Sequence, residues 1–202
     1  MEFSYSPVAT IIFAITIFAS LYGLFYNNKF IEKSVLNPYS FIHKRKWFTL
    51  ISSGFVHGDL YHLIFNMLSF YFFVFDLEAN VGSLNFAIIY FAGLILSDVT
   101  TIIKNKDNPN YSCLGASGAI SASMFAFILL YPQAKLMIAP LPIPIPAPLY
   151  AILFLGYCYY ASKNGQDGIN HDAHFWGALS GVLCVALISP ESFGNFWAYF
   201  MK

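Results

Sequence analysis

Residues 111–131 read YSCLGASGAISASMFAFILLY, and the fold turns on how that stretch is understood. It opens with small and hydroxyl-bearing residues, Gly115, Ala116, Ser117 and Gly118, and closes in an aromatic and aliphatic run without a charge. A helix crossing the roughly 30 Å hydrocarbon layer needs about 20 residues, with about 17 as the lower bound. The stretch from Gly115 to Tyr131 just meets that bound, so its surroundings decide. Charge is equally absent between Phe3 and Asn28, Leu60 and Phe75, Ala79 and Ser97, Leu136 and Ser162, and Ala173 and Pro190. Apolar residues make up 58% of the chain and charged ones 10%, against about a quarter charged in an ordinary soluble domain. The expected fold is an all-α polytopic membrane protein, one domain over residues 1–202. Its six spans fall at about 7–26, 58–77, 83–102, 115–131, 147–162 and 171–189.

The connections carry the remaining polarity. The longest, Asn27 to His57, holds Lys29, Lys33, Lys44, Arg45, Lys46 and Trp47 and is long enough to build structure on the membrane surface. A tight turn is expected around Glu78 to Gly82. The segment from Pro132 to Pro148 contains PLPIPIPAP, and repeated proline fixes φ and removes backbone donors, which predicts extended chain. The aromatic tail after Pro190 (Phe193, Phe196, Trp197, Tyr199) suits the interface rather than a seventh span. The first segment lacks a basic leader and a small-residue cleavage site, so it reads as an uncleaved first helix.

Formal net charge is zero and no basic face stands out, which argues against a nucleic-acid partner. Cys113, Cys158 and Cys184 are odd in number and lack metal-ligand spacing, so they read as small buried residues. No H-E-x-x-H pair exists, which disfavours a zinc protease, and no metal is expected.

Polar groups within spans are costly and point to function. Three clusters occur: His62 with Asn66, Ser117, and His174. Antiparallel spans put the starts of the second, fourth and sixth on one face, so all three clusters fall at a similar shallow depth. Ser117 would occupy the first turn of its helix, where unpaired N–H groups and the positive dipole end favour a developing anion. Its flanking small residues also permit close helix packing, the bland reading of the same stretch. His174, Gly177 and Gly181 follow i, i+3, i+7 spacing and share a helix face. The two glycines form a small-xxx-small seam, and the residues after Ser117 are its natural counterpart. His62 and Asn66 are i, i+4, with Asn66 about 6 Å deeper at ~1.5 Å rise per residue. An Asn amide is a neutral donor suited to an oxyanion. Nucleophile, base and oxyanion donors are the parts of acyl transfer.

In this order and on these spans, the residues resemble the rhomboid intramembrane serine proteases over nearly the whole chain. The resemblance implies that Ser117, in Gly115-Ala116-Ser117-Gly118, is the nucleophile. It makes His174, with Gly177 and Gly181 in H-x-x-G-x-x-x-G, the base, and sets His62 and Asn66 with the Ser117 N–H in the oxyanion hole. His57 completes the family's H-x-x-x-x-H-x-x-x-N run, and Glu78 with Gly82 matches its E-x-x-x-G element. Two positions depart from the pattern: Trp47 is followed by Phe48 rather than Arg. Ser121 stands where many relatives carry an aromatic that supports the base.

The implied activity is hydrolysis of peptide bonds in transmembrane protein substrates by a Ser–His dyad within the lipid bilayer, without a cofactor. Substrate would enter between the second and fifth spans, with Phe65, Phe154 and Tyr157 as gate candidates. A catalytically inactive adaptor and a small transporter or channel are the competing readings. The implied location is a bacterial-type inner membrane with both termini cytoplasmic. Charge counting opposes that orientation, because eight of the ten Lys and Arg residues lie in the first, third and fifth connections.

Overall fold

Each of the six apolar segments becomes a helix in the computed structural model, which describes residues 6–138, 141–165 and 167–201. After α1 (Pro7–Phe25), the long first connection folds into three short helices, α2 (Asn28–Ser34), α3 (Pro38–His43) and α4 (Thr49–Ser52). The long helices α5 (Leu60–Val81) and α6 (Ser83–Asn105) follow, then α7 (Ser117–Leu130). Strands β1 (Lys135–Ile138) and β2 (Leu141–Pro146) precede α8 (Ala147–Asn164), α9 (His171–Ile188) and α10 (Glu191–Phe200).

Two expected boundaries need correction. The second span runs on to Val81, so Glu78 lies in the last turn of α5 and Gly82 alone makes the reversal into α6. Gly82 has φ of 79°, a left-handed conformation in which a Cβ is strained, so the chain first turns where a glycine permits it. The fourth span begins at Ser117 rather than at Gly115, because Gly115 has φ of 112° and cannot continue a helix. At 14 residues α7 rises only ~21 Å. Among the described residues, α1, α5, α6 and α9 are long and apolar enough to cross a membrane by themselves. Helix α7 is instead enclosed by α5, α6, α8 and α9, and is buried over most of its surface. It is apolar all round, as a central helix must be.

Small residues set how closely the helices pack on this pillar. A Cβ on Gly177 would run into the carbonyl oxygen of Gly118, and one on Gly181 into that of Ala122. From the other side, a Cβ on Gly93 would meet the Ala122 methyl and, on Gly118, the Ser97 side chain. Helices α6, α7 and α9 therefore touch backbone to backbone, the packing that small residues allow where lipid supplies no hydrophobic drive.

The far end is tied by Glu78, which is fully buried. Its carboxylate accepts from Val8 N (3.1 Å), Ala9 N (2.6 Å) and the Ser83 hydroxyl (2.6 Å). Helix α1 has no capping side chain of its own, and Glu78 satisfies its first-turn donors and complements its dipole from α5. An aromatic core of Phe70, Phe75, Phe86 and Tyr90 packs above this tie.

The proline-rich segment is extended, as its composition predicts, and pairs as an antiparallel hairpin with Lys135 opposite Pro146 and Met137 opposite Pro144. Pro142, Pro144 and Pro146 recur at every second residue, so their missing donors fall along one edge of the strand. The aromatic tail forms α10, with Phe193 and Phe196 turned to the core and Trp197 and Phe200 exposed.

Candidate active site

Ser117, His174, His62 and Asn66 come from three helices and line one cavity of about 770 Å³. Ser117 is the first residue of α7 and half-buried. Its loop is fixed from outside the helix. Leu36 and Cys113 exchange both backbone hydrogen bonds (2.9 and 3.0 Å), and Gly115 N donates to Ser53 O (2.9 Å). The Asn37 amide donates to the carbonyls of Pro109 (2.9 Å) and Tyr111 (2.7 Å). The surface-lying first connection thus holds the loop that delivers Ser117. Sequence spacing gave no sign of these contacts, which join segments more than 60 residues apart.

His62 is set in the first turn of α5 by Asp59, whose carboxylate accepts from His62 N (2.8 Å). A Cβ on Gly115 would lie 2.8 Å from His62 Nε2 and 3.7 Å from Asn66 Nδ2. The bare backbone just before Ser117 is therefore what lets both side chains approach the start of α7. His57 backs His62 edge-on at 4.8 Å between ring centroids, and its Nδ1 lies 3.0 Å from the Ser20 hydroxyl on α1. Burial, helped by His62 and opposed by Asp59, lowers His57 from its ordinary 6.5 to about 3, so the ring stays neutral.

His174 lies one turn above the Gly177–Gly118 contact. Phe154 of α8 stacks on it (ring centroids 6.4 Å, 29°), and His171 meets it edge-on at 5.8 Å. The aromatic support absent at Ser121, which lines the cavity, thus comes from a different helix. The start of α9 is anchored by Asn170. Its side chain accepts from Ala173 N (3.2 Å) and donates to the Thr101 hydroxyl of α6 (2.9 Å). Asp172 turns away from the cavity side and pairs with Lys104 at 2.7 Å. His171 and Asp167 were not singled out by spacing, yet His171 Nε2 sits 3.0 Å from the Asp167 carboxylate. That bond, with one from Ile169 N, holds the Asp167 carboxyl below the usual range.

Among the described residues, Ser117 and His174 share the cavity without a direct hydrogen bond; such contacts commonly tighten only around a bound substrate. Asp98, the one charge well inside the third span, is buried behind the serine loop, 4.0 Å from Cys113 Sγ. Of the gate candidates, Phe65 lines the cavity and is 61% exposed, Phe154 lies deeper against His174, and Tyr157 packs edge-on to His171 while 56% exposed.

A bundle of apolar helices with hydroxyl, imidazole and carboxamide gathered in a shallow cavity at the start of a short central helix defines a multi-pass membrane protein with a buried polar site. The sequence pattern of the Rhomboid domain matches residues 44–191, most of the chain. The chain belongs to the rhomboid family. It is 28% identical over 186 residues to RHOMBOID-like protein 12, mitochondrial, of Arabidopsis thaliana, covering 83% of this chain and 54% of that protein. It is 30% identical over 148 residues to Presenilin-associated rhomboid-like protein A, mitochondrial, of Danio rerio (72% and 38%). Rhomboid protein 1, mitochondrial, of Saccharomyces cerevisiae is 25% identical over 161 residues (77% and 45%). The chain spans about half the length of these relatives or less. All three carry mitochondrial in their names, so the expected bacterial-type inner membrane finds no support among them.

Proposed function

We propose that this chain is an intramembrane serine endopeptidase that cleaves transmembrane segments of other proteins. The observation that carries the reading is the convergence of Ser117, His174, His62 and Asn66 on one cavity at the start of α7. Neutral His174 takes the proton from the Ser117 hydroxyl as its oxygen attacks the scissile carbonyl. The oxyanion is held by the Ser117 N–H, by Asn66 and by His62, each donor worth about 2.7–4 kcal/mol in the transition state. His174 then returns the proton to the leaving amine, and water, deprotonated by the same imidazole, releases the acyl-enzyme. Among the described residues no acidic side chain hydrogen-bonds to His174; Phe154 and His171 pack on the ring instead. Substrate enters between α5 and α8, past Phe65 and Tyr157. The mouth of the cavity lies on the face at which α5, α7 and α9 begin.

Fluorophosphonate labelling in detergent, paired with cleavage of a reporter transmembrane segment, tests this. Wild type should label and cleave; Ser117→Ala should do neither. His174→Ala should abolish cleavage as completely, and the double variant should be hardly worse than either alone, because the pair acts as a unit. Cleavage by Ser117→Ala at a substantial rate would overturn the mechanism. A folded wild type that neither labels nor cleaves would favour the adaptor reading.

A further inference from the structure

We propose that Cys158, His171 and His174 form a binding site for a thiophilic divalent ion, zinc above all, and that the bound ion blocks the imidazole on which proteolysis depends. The blocking half rests on the protease reading above; the binding half does not. Cys158 on α8 and His171 on α9 are buried, His174 is partly so, and one ligand atom from each lies within 4.8 Å of the other two. Tetrahedral zinc, with Zn–N of ~2.0–2.1 Å and Zn–S of ~2.3 Å, sets its ligand atoms roughly 3.5 Å apart, so closure asks about 1 Å of side-chain rotation.

The second observation is the state of His171. An ionised carboxylate only accepts hydrogen bonds, so in the neutral ring the 3.0 Å contact with Asp167 puts the proton on Nε2 and leaves the lone pair on Nδ1. That Nδ1 is buried with no hydrogen-bond partner among the described residues. A buried polar atom left unpaired is costly and rare. A carboxylate on one imidazole nitrogen, with the other free and inward-facing, is how proteins orient metal-binding histidines. Tyr157 packs edge-on to the ring and restrains it. One thiolate with two imidazoles selects zinc over magnesium or calcium. His174, the ligand that lines the cavity together with Asp167 and Asn170, marks the side from which the ion and a water as fourth ligand would enter.

On binding, the Cys158 thiol releases its proton to solvent as the Zn–S bond forms, while both imidazoles bind neutral, so affinity rises with pH. Neutral imidazole has a single lone-pair nitrogen. Once zinc holds it on His174, the other nitrogen carries the proton and cannot accept one from Ser117, whichever nitrogen is used.

The test uses the full chain in detergent, with Co²⁺ as the spectroscopic stand-in for Zn²⁺ and equilibrium dialysis for zinc stoichiometry. Wild type should bind one tight ion and show thiolate-to-cobalt charge-transfer absorption. The band should vanish in Cys158→Ser and Cys158→Ala and persist in Cys113→Ala. Asp167→Asn should weaken binding by about 10–100-fold, as loss of an orienting carboxylate does. Zinc should inhibit cleavage reversibly by EDTA, and Cys158→Ala should need at least tenfold more zinc, each variant compared with its own chelator-treated rate. A missing band, or one unchanged in Cys158→Ser, overturns the site. A chain that cleaves and binds zinc without losing activity overturns the inhibition. A chain that never cleaves refutes the protease reading, while the cobalt spectrum still decides the metal site.

Discussion

Asn66 and His57 are both buried polar residues beside the serine loop, and their environments assign them different consequences. Asn66 approaches the backbone before Ser117, where a donor acts on charge that develops during reaction. Asn66→Ala should lower turnover by about 10²–10³-fold with little change in KM, since such a donor works mainly in the transition state. Steady-state kinetics on a reporter substrate checks the split; normal turnover would remove Asn66 from the oxyanion hole. His57 does not line the cavity; it packs behind His62, and its own titration is read through folding. Its folded pKa is lowered from 6.5 to about 3, so between those values the unfolded chain binds the extra proton. The contribution is complete above pH 6.5 and is lost as pH falls toward 3. In His57→Asn, the melting temperature in detergent should fall less between pH 7 and pH 4 than in wild type. Parallel curves would show that His57 is not the titrating group.

At the scale of elements, the α7–α9 seam is the feature most open to a single-atom test. Gly181→Ala would drive a methyl into the Ala122 backbone, 2.6 Å from its carbonyl carbon, with no flexible side chain to give way. Overpacking of this kind costs about 1–3 kcal/mol. Because His174 rides on the same helix, cleavage should fall along with thermal stability. Gly156→Ala is the contrast, since a Cβ there meets nothing within 4 Å and helix propensity alone favours Ala by about 0.5–1 kcal/mol. Equal destabilisation by the two would show that the seam is not tight. The seam was legible in the sequence because His174, Gly177 and Gly181 share a face by helical period, and Gly115, Ala116 and Gly118 advertise close approach. The Phe154 ring on His174, the Asp167–His171 pair and the Leu36–Cys113 bridge were not. The first depends on how one helix is rotated against another, the last on a loop folding back over more than 70 residues, and the i, i+4 pair of Asp167 and His171 on how the loop before α9 turns; local periodicity carries none of these.

For the whole molecule, orientation is where two physical arguments oppose each other. The positive-inside bias would draw the first, third and fifth connections to the cytoplasm. Five of those eight bases lie in the first connection, which the structure folds into α2, α3 and α4 with the lysines largely exposed. A folded surface layer of that kind carries its charge against headgroups rather than as a free loop beside a span. The cavity mouth should therefore face away from the cytoplasm when the chain is produced in bacteria. Single cysteines at Asn108 and Asn80, in a background lacking Cys113, Cys158 and Cys184, report this with a membrane-impermeant thiol reagent. Position 108 should label in intact cells and position 80 only after lysis; the reverse pattern would establish the charge-directed orientation. That six apolar segments alternate and bring their polar starts together was legible from charge-free lengths. That α7 stops short at 14 residues was not, because a glycine at positive φ, rather than hydropathy, sets its beginning.

The Glu78 tie has a consequence for biosynthesis. Its carboxylate is satisfied by Val8, Ala9 and Ser83, the last of which is synthesised only five residues after Glu78 itself. The buried Glu78 carboxylate is thus hydrogen-bonded by partners that are made before any residue of α7, α8 or α9. Vectorial synthesis can then set α1, α5 and the opening of α6 as a self-sufficient nucleus, and the helices that carry Ser117 and His174 arrive at a template already standing.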